Sequence, residues 1–228
     1  MPYSSFTTIG KVKEAFNLTT VEAVRFLPNI DPISPSPTLT AFLEESLPFA
    51  SSASEKARSE GIIFPVLLEA RRILQRRVSL FSGEDFTVDE SIGLNGVCDF
   101  LFSRSEEILE IEAPAVIIVE AKKSDLRTGF GQCIAEMVAA QKFNEAKKKP
   151  IPIIYGVVSN GTQWRFLKLE GHTVTIDLID YPLPPVEQIL GFLVWMVREG
   201  YLADGVTTHQ NTDRIKDIQP LKKMVDNY

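Results

Sequence analysis

Two apolar stretches of the chain each lead into a charged residue that the surrounding pattern does not explain. Asp99 lies within the stretch 97–102, and Glu120 directly follows the apolar run 115–119. A carboxylate in or at the end of a core strand loses its hydration, so it needs a compensating partner such as a cation. Lys122 lies two residues after Glu120 and therefore faces the same side of an extended strand. If the two strands pair, two carboxylates and one ammonium meet at one point.

Such a group of side chains suits the hydrolysis of a phosphodiester. The carboxylates of Asp99 and Glu120 and the carbonyl oxygen of Ala121 are the hard ligands that Mg²⁺ prefers, and Mg²⁺ keeps several waters of its own. Bound Mg²⁺, or Mn²⁺ in its place, would neutralise charge on the phosphate and lower the pKa of a bound water. Lys122 could orient or deprotonate the attacking water, or stabilise the transition state. The sequence leaves these three roles open.

The N-terminal elements are predicted to be short. We expect short helices in residues 1–27, one of them beginning at Thr19 or Thr20, since threonine is a favoured cap residue. The stretch 28–37 contains several prolines and reads as an extended linker, because proline is excluded from helix interiors. A short helix over 39–47 follows.

The elements that must position the charged residues come next. A long helix is expected to begin at Ser54. Because Pro65 lies inside its apolar pattern, the sequence allows either a kink or the actual start of the helix near 61–65. The stretch 115–121, which is apolar except for Glu120, predicts a central strand that is covered on both faces. The other predicted elements are strands over 97–102, 153–158, 163–169 and 174–178 and helices over 129–149 and 184–199.

This order predicts an α/β fold with a central mixed sheet and additional N- and C-terminal helices. We divide the chain into an N-terminal helical and Pro-rich extension (1–53), a central domain (54–180), and a C-terminal helix with a polar tail (181–228) packed on the same domain.

The charged residues and their strands resemble a known signature. Gly96-Val97-Cys98-Asp99, followed after an interval by Val119-Glu120-Ala121-Lys122, looks like the PD-(D/E)XK nuclease superfamily, with Cys98 where the superfamily often has proline. The resemblance covers roughly residues 54–180. It implies a restriction-endonuclease-like core of a helix, a three-stranded meander, a helix and a strand. It also implies an Mg²⁺-dependent endonuclease acting on DNA, with the metal on Asp99, Glu120 and Ala121.

The resemblance adds further candidates. Gln132, on the helix after the second strand, resembles a glutamine of several branches of the superfamily. The superfamily often has an acid on its first helix, for which Glu55, Glu60 and Glu69 are candidates. Glu60 and Glu69 each share a helical face with apolar residues, and Glu60 could reach inward from the helix start. We favour Glu60, because Ser59-Glu60 followed by Pro65 resembles the first helix of the superfamily. The hairpin 159–166 is similar to the end of the N-terminal nuclease region of type I restriction enzyme motor subunits. Closer still, the chain looks like a bacterial family of stand-alone domains of this kind. The implied catalytic set is Glu60, Asp99, Glu120, Lys122 and Gln132.

The overall charge argues against a protein that coats DNA with its whole surface. The 228 residues carry 24 Lys and Arg against 30 Asp and Glu, a formal net charge of −6. A local basic patch is still allowed, because affinity for nucleic acid depends on where the charges lie. The acidic balance keeps alternatives open: a catalytically silent binding or assembly module, or an accessory subunit that docks a protein partner. The resemblance also suggests a homodimer, since many enzymes of this type cut both strands as dimers.

The cysteines and the apolar runs indicate an intracellular protein. Cys98 and Cys133 lack metal-site spacing and are expected to be buried free thiols, which fits a reducing compartment. The N-terminus has no apolar signal core. The apolar run 189–197 is too short to cross a membrane. We therefore expect a cytoplasmic protein without a membrane segment.

Overall fold

The computed structural model describes residues 2–23 and 25–203, which form an α/β fold with helices flanking a central sheet. The strands are β1 (Thr19–Ala23), β2 (Ser79–Asp85), β3 (Val97–Ser103), β4 (Ala115–Ala121), β5 (Ile153–Ser159), β6 (Gln163–Glu170), β7 (Thr173–Asp177) and β8 (Tyr181–Pro182). The helices are α1 (Ile9–Phe16), α2 (Pro37–Ala50), α3 (Glu55–Arg58), α4 (Phe64–Ile73), α5 (Phe130–Ala146) and α6 (Glu187–Ala203).

The sheet is mixed, as the sequence predicts. Its order is β1-β7-β6-β5-β4-β3-β2, and β8 pairs with β6. The pairs β1–β7 and β4–β5 are parallel, and the remaining pairs are antiparallel. The strand β4 lies near the middle and all of its residues are buried, which agrees with a sequence that is apolar except for Glu120.

Helices cover the sheet and supply the rest of the core. The helix α5 packs against β4 and β5, and α1 packs on α5. The helices α4 and α6 pack against each other, while α4 also contacts β2 and α6 contacts β4. Trp164 and Phe166 of β6 and Phe192 of α6 are fully buried, so these aromatic residues belong to the core.

The predicted helix from Ser54 is present, and it is irregular where proline interrupts the pattern. The hydroxyl of Ser54 accepts a hydrogen bond from the Ala57 amide at 3.2 Å, so Ser54 caps the helix. A π-helical segment, Ser59–Ile63, joins α3 to α4. The carbonyl oxygen of Gly61 accepts a hydrogen bond from the Ser46 hydroxyl at 2.6 Å, which gives this backbone oxygen a partner outside its own helix.

The helix predicted from Thr19 or Thr20 is wrong, because this segment forms strand β1. It runs parallel to β7, with Thr19 opposite Thr173, and the Thr19 amide donates to the carbonyl oxygen of His172 at 2.9 Å. Pairing with β7 therefore overrides the weak local signal of a cap residue. The N-terminal extension contributes to the same sheet as the central domain.

Other predictions are confirmed by the described residues. Cys98 and Cys133 are buried and free, as the sequence predicts. Within the described ranges, no helix combines the length and the apolar character needed to cross a membrane. The predicted polar tail lies beyond residue 203, outside the described residues.

Candidate active site

Strand pairing brings Asp99 and Glu120 together. The strands β3 and β4 are antiparallel, and their register pairs Phe100 with Val119. The preceding residue of β3, Asp99, and the following residue of β4, Glu120, therefore lie opposite each other. Side chains in directly opposite positions of an antiparallel pair point to the same face, so the two carboxyl groups share one face of the sheet.

Each carboxyl group is held differently. The Ala121 amide donates a hydrogen bond to Oδ2 of Asp99 at 2.8 Å, which fixes this carboxylate against the end of β4. Glu120 is 1% exposed, and its Oε1 contacts the ammonium of Lys122. Its Oε2 is buried and has no hydrogen-bond partner among the described residues. A buried carboxylate oxygen without a partner is costly and marks a place where a cation would be stabilised.

The electrostatics of the pair favour protonation when no further cation is present. Burial, and then the charge of Asp99, raise the pKa of Glu120 to about 8. Burial also raises the pKa of Asp99, although the hydrogen bond from Ala121 and the charge of Lys122 oppose this shift. Two acidic groups at close range cannot both ionise without cost. One ammonium therefore does not neutralise this site.

Lys122 is supported from two sides. Its amide donates to the carbonyl oxygen of Ser159 on β5 at 2.8 Å, so its backbone is anchored to the neighbouring strand. Its side-chain stem packs beside Gly129, where an added Cβ would lie 3.1 and 3.2 Å from Cγ and Cε of Lys122. Burial is the largest single influence and lowers the pKa of Lys122, but the charge of Glu120, its hydrogen bond and the charges of Glu55 and Asp99 together outweigh it, so the net shift is upward. The ammonium form is thus the stable form at this position.

Gln132 lies one turn beyond Gly129 on α5 and reaches a residue that sequence reasoning missed. Its Nε2 donates to Oε1 of Glu136 at 3.1 Å. Glu136 is fully buried, and its Oε2 has no hydrogen-bond partner among the described residues. Burial, and then the charge of Glu120, raise the pKa of Glu136 well above its usual range. The signal for Glu136 was present in the sequence as an acid within the otherwise apolar stretch 133–140 of the helix.

The structure does not place Glu60 with this cluster. The side chain of Glu60 is 69% exposed and forms an ion pair with Lys56 at 3.7 Å, so the inward orientation expected from helical periodicity is not observed. Glu60 lies in the π-helical segment, where the extra residue per turn changes the face on which each side chain falls. The periodicity of a regular α-helix therefore does not predict the orientation of the Glu60 side chain.

The other two acids of the first helix differ from Glu60. Glu69 is buried, but it accepts hydrogen bonds from Ser36 and Arg72 and so has a structural role between α2 and α4. Glu55, in the first turn of α3, is the acid whose charge acts on the cluster. It raises the pKa of Asp99, of Glu120 and of Lys122, as expected for a negative charge near all three.

The donor set fits a divalent cation with a small number of protein ligands. Among the described residues, no group of three or more His, Cys, Asp or Glu side chains is arranged as a ready metal site. Mg²⁺ does not require such a group, because it usually binds one or two carboxylates and keeps its waters. Asp99, Glu120 and the carbonyl oxygen of Ala121 match this requirement, and the unpartnered Oε2 of Glu120 is the atom that most needs a cation.

The fold and the site together define a class: an α/β protein in which two carboxyl groups and a lysine meet at the ends of paired strands. Comparison of the chain with protein-family models, with curated proteins and with solved structures finds no match. The geometry of the site is therefore the basis for any functional conclusion.

Proposed function

We propose that the protein is an Mg²⁺-dependent endonuclease that hydrolyses phosphodiester bonds of DNA. The observation that carries this proposal is the meeting of Asp99, Glu120 and Lys122, with one buried Glu120 oxygen that has no partner among the described residues. The order α4, β2–β3–β4, α5, β5 supports a restriction-endonuclease-like core, since it is a helix, a three-stranded meander, a helix and a strand.

The chain's own residues have distinct roles in this proposal. Asp99 and Glu120, with the carbonyl oxygen of Ala121, would hold Mg²⁺, which when bound supplies a charge that stabilises the phosphate and activates water. Lys122 donates hydrogen bonds from an ammonium whose pKa is raised, so stabilisation of the developing negative charge suits it better than proton abstraction. In the overall reaction, the oxygen of water bonds to phosphorus and the bond from phosphorus to the leaving oxygen breaks. The water loses one proton and the leaving oxygen takes one up, so the products are a phosphate monoester and an alcohol.

The first test is cleavage by the purified full-length protein with Mg²⁺ or Mn²⁺ on plasmid, linear and branched DNA. We expect metal-dependent nicking or cutting that chelation with EDTA abolishes. Lys122→Ala should reduce the cleavage rate by about 100-fold or more, because a charge-stabilising donor is lost. Lys147→Ala, at the exposed end of α5, is the matched control and should cleave at the wild-type rate.

A second candidate is a catalytically silent module that retains the fold. The direct contact between Lys122 and Glu120 favours it, because the ammonium already satisfies one carboxylate oxygen. If all three DNA substrates remain intact with both metals, the endonuclease proposal fails and the silent module replaces it. Size-exclusion chromatography of the same sample decides whether the protein forms a homodimer.

A further inference from the structure

Asn160, in the turn between β5 and β6, forms hydrogen bonds both within the turn and to another segment of the chain. Its Oδ1 accepts hydrogen bonds from the amides of Thr162 and Gln163, at 3.2 and 2.9 Å, and from the Thr162 hydroxyl at 3.1 Å. These bonds hold the turn itself. Its Nδ2 points elsewhere and donates to the carbonyl oxygen of Ser124 at 2.8 Å. Asn160 is 7% exposed, so water competes little for these bonds.

The bond to Ser124 ties the turn to the segment that supports Lys122. Residues 122–129 leave the site after β4 and return to it, because Gly129 at the end of the segment packs against the side-chain stem of Lys122. Ser124 lies within this segment, two residues after Lys122. A hydrogen bond from a fixed side chain at this point restricts the whole segment, and with it the position of the lysine.

A second link runs from Asn160 to the helix that carries Glu55. Nη1 of Arg58 donates to the carbonyl oxygen of Asn160 at 2.9 Å, and Nη2 of Arg58 contacts the carbonyl oxygen of Ser51. Arg58 is the last residue of α3, and Glu55 is the first. The guanidinium therefore holds this short helix between the end of α2 and the β5–β6 turn.

We propose that Asn160 is a positioning residue of the active site. Through Ser124 it holds the segment that supports Lys122, and through Arg58 it holds the short helix that carries Glu55. The inference rests on the proposed function and adds a residue that acts through others. Loss of the link to Ser124 should lower kcat by about 10- to 100-fold with little change in KM, because a small displacement of an oriented group is costly in the transition state.

Asn160→Asp separates the two roles of this side chain. The aspartate keeps an acceptor for Thr162 and Gln163 and so retains the turn. It cannot donate to Ser124, and its oxygen would face the carbonyl oxygen instead. Thr162→Val is the matched control, because it removes one hydrogen bond of the same turn and leaves the link to Ser124 in place. Arg58→Lys tests the second link, since a lysine lacks the fork that reaches two carbonyl groups.

Two measurements on the full chain decide the proposal: amide hydrogen exchange by segment, and steady-state cleavage with Mg²⁺. We expect Asn160→Asp to accelerate exchange in 123–129 and to lower kcat, and Arg58→Lys to accelerate exchange in 55–58. Thr162→Val should change neither the exchange of 123–129 nor kcat.

Wild-type exchange of 123–129 in Asn160→Asp would overturn the proposal, and so would accelerated exchange with unchanged kcat. If the wild-type protein cleaves no DNA, the proposed function fails, and the exchange data alone then decide whether Asn160 holds the two segments.

Discussion

The ammonium of Lys122 contacts one carboxylate oxygen of Glu120, while the other oxygen of Glu120 has no hydrogen-bond partner among the described residues. The two side chains are two residues apart, so an extended backbone directs them to the same side. Asp99, from the neighbouring strand, adds a second carboxyl group to this pair. The site therefore holds more negative charge than Lys122 neutralises, and its affinity for a cation should depend on pH.

Metal affinity should rise as the pH rises toward 8. Binding requires Glu120 to lose its proton, and burial and Asp99 raise the pKa of Glu120 to about 8. Below that pH each metal ion must displace a proton, so the apparent Mn²⁺ affinity should increase by up to about tenfold per pH unit. Isothermal titration calorimetry between about pH 6 and pH 8 measures this slope. Glu120→Gln should abolish the binding at every pH, and a wild-type affinity independent of pH would contradict the prediction.

Replacing the buried, ionisable carboxyl group of Glu136 should stabilise the metal-free protein. Its folded-state pKa is raised, mainly by burial and then by Glu120. The folded protein therefore binds this proton more tightly than the unfolded chain does. The stability cost is absent below the unfolded carboxyl pKa of about 4.3 and grows as the pH rises above it.

We therefore expect Glu136→Gln to raise the free energy of unfolding by about 1 kcal/mol or more near neutral pH, and to have a smaller effect at acid pH. Urea denaturation at several pH values measures the difference. Glu145→Gln, on the exposed side of the same helix, is the matched control and should change stability little. Equal gains for Glu136→Gln at acid and neutral pH would show that burial of charge is not the cause.

Glu55 and Glu60 should differ in their effect on the site. Glu55 acts electrostatically on Asp99, Glu120 and Lys122, whereas Glu60 is exposed and pairs with Lys56. Glu55 is itself exposed, so solvent screens its charge, and Glu55→Gln should weaken Mn²⁺ binding by no more than about fivefold. Calorimetry of the two variants side by side provides the comparison. Glu60→Gln should bind Mn²⁺ as tightly as the wild type does. Weaker Mn²⁺ binding by Glu60→Gln than by Glu55→Gln would instead identify Glu60 as the acid of the first helix that acts on the site.

Gly129→Ala should displace Lys122 and destabilise the fold. The new methyl group would lie 2.7 Å from Cγ1 of Val158 and 3.1 Å from Cγ of Lys122. Gly129 has φ −91°, so any residue can adopt its backbone conformation and the effect is purely steric. We expect a loss of about 1–3 kcal/mol in the free energy of unfolding, together with slower cleavage.

The matched control for this substitution is Gly10→Ala on the exposed face of α1. Its added methyl group would lie 3.8 Å from the nearest side-chain atom, the Thr8 hydroxyl oxygen. A helical glycine-to-alanine change without a clash should be neutral or stabilising by about 0.5–1 kcal/mol. Thermal unfolding of the two variants separates the steric effect at Gly129 from the general effect of the substitution. Wild-type stability and cleavage in Gly129→Ala would contradict the packing described for Lys122.

Local sequence patterns predicted most of the elements and the main polar residues of the site. The apolar run 115–119 identified β4, and Ser54 identified the start of the helical stretch that continues through α3 to α4, since both signals act within a few residues. Asp99, Glu120 and Lys122 could be singled out because charge in an apolar strand is conspicuous. These three side chains meet only if β3 pairs with β4, and the structure shows this pairing.

Only the tertiary structure decided which other residues surround these three. The pattern of Ser59, Glu60 and Pro65 favoured Glu60, whereas the π-helical segment turns Glu60 outward and leaves Glu55 as the acid of this region whose charge acts on the site. Glu136 and Asn160 lie far along the chain from Asp99, and only the packing of α5 and the β5–β6 turn relates them to it. The periodicity of a segment indicates which of its own faces is apolar. The neighbours of a buried charge are set by contacts between distant segments, and no local pattern encodes those contacts.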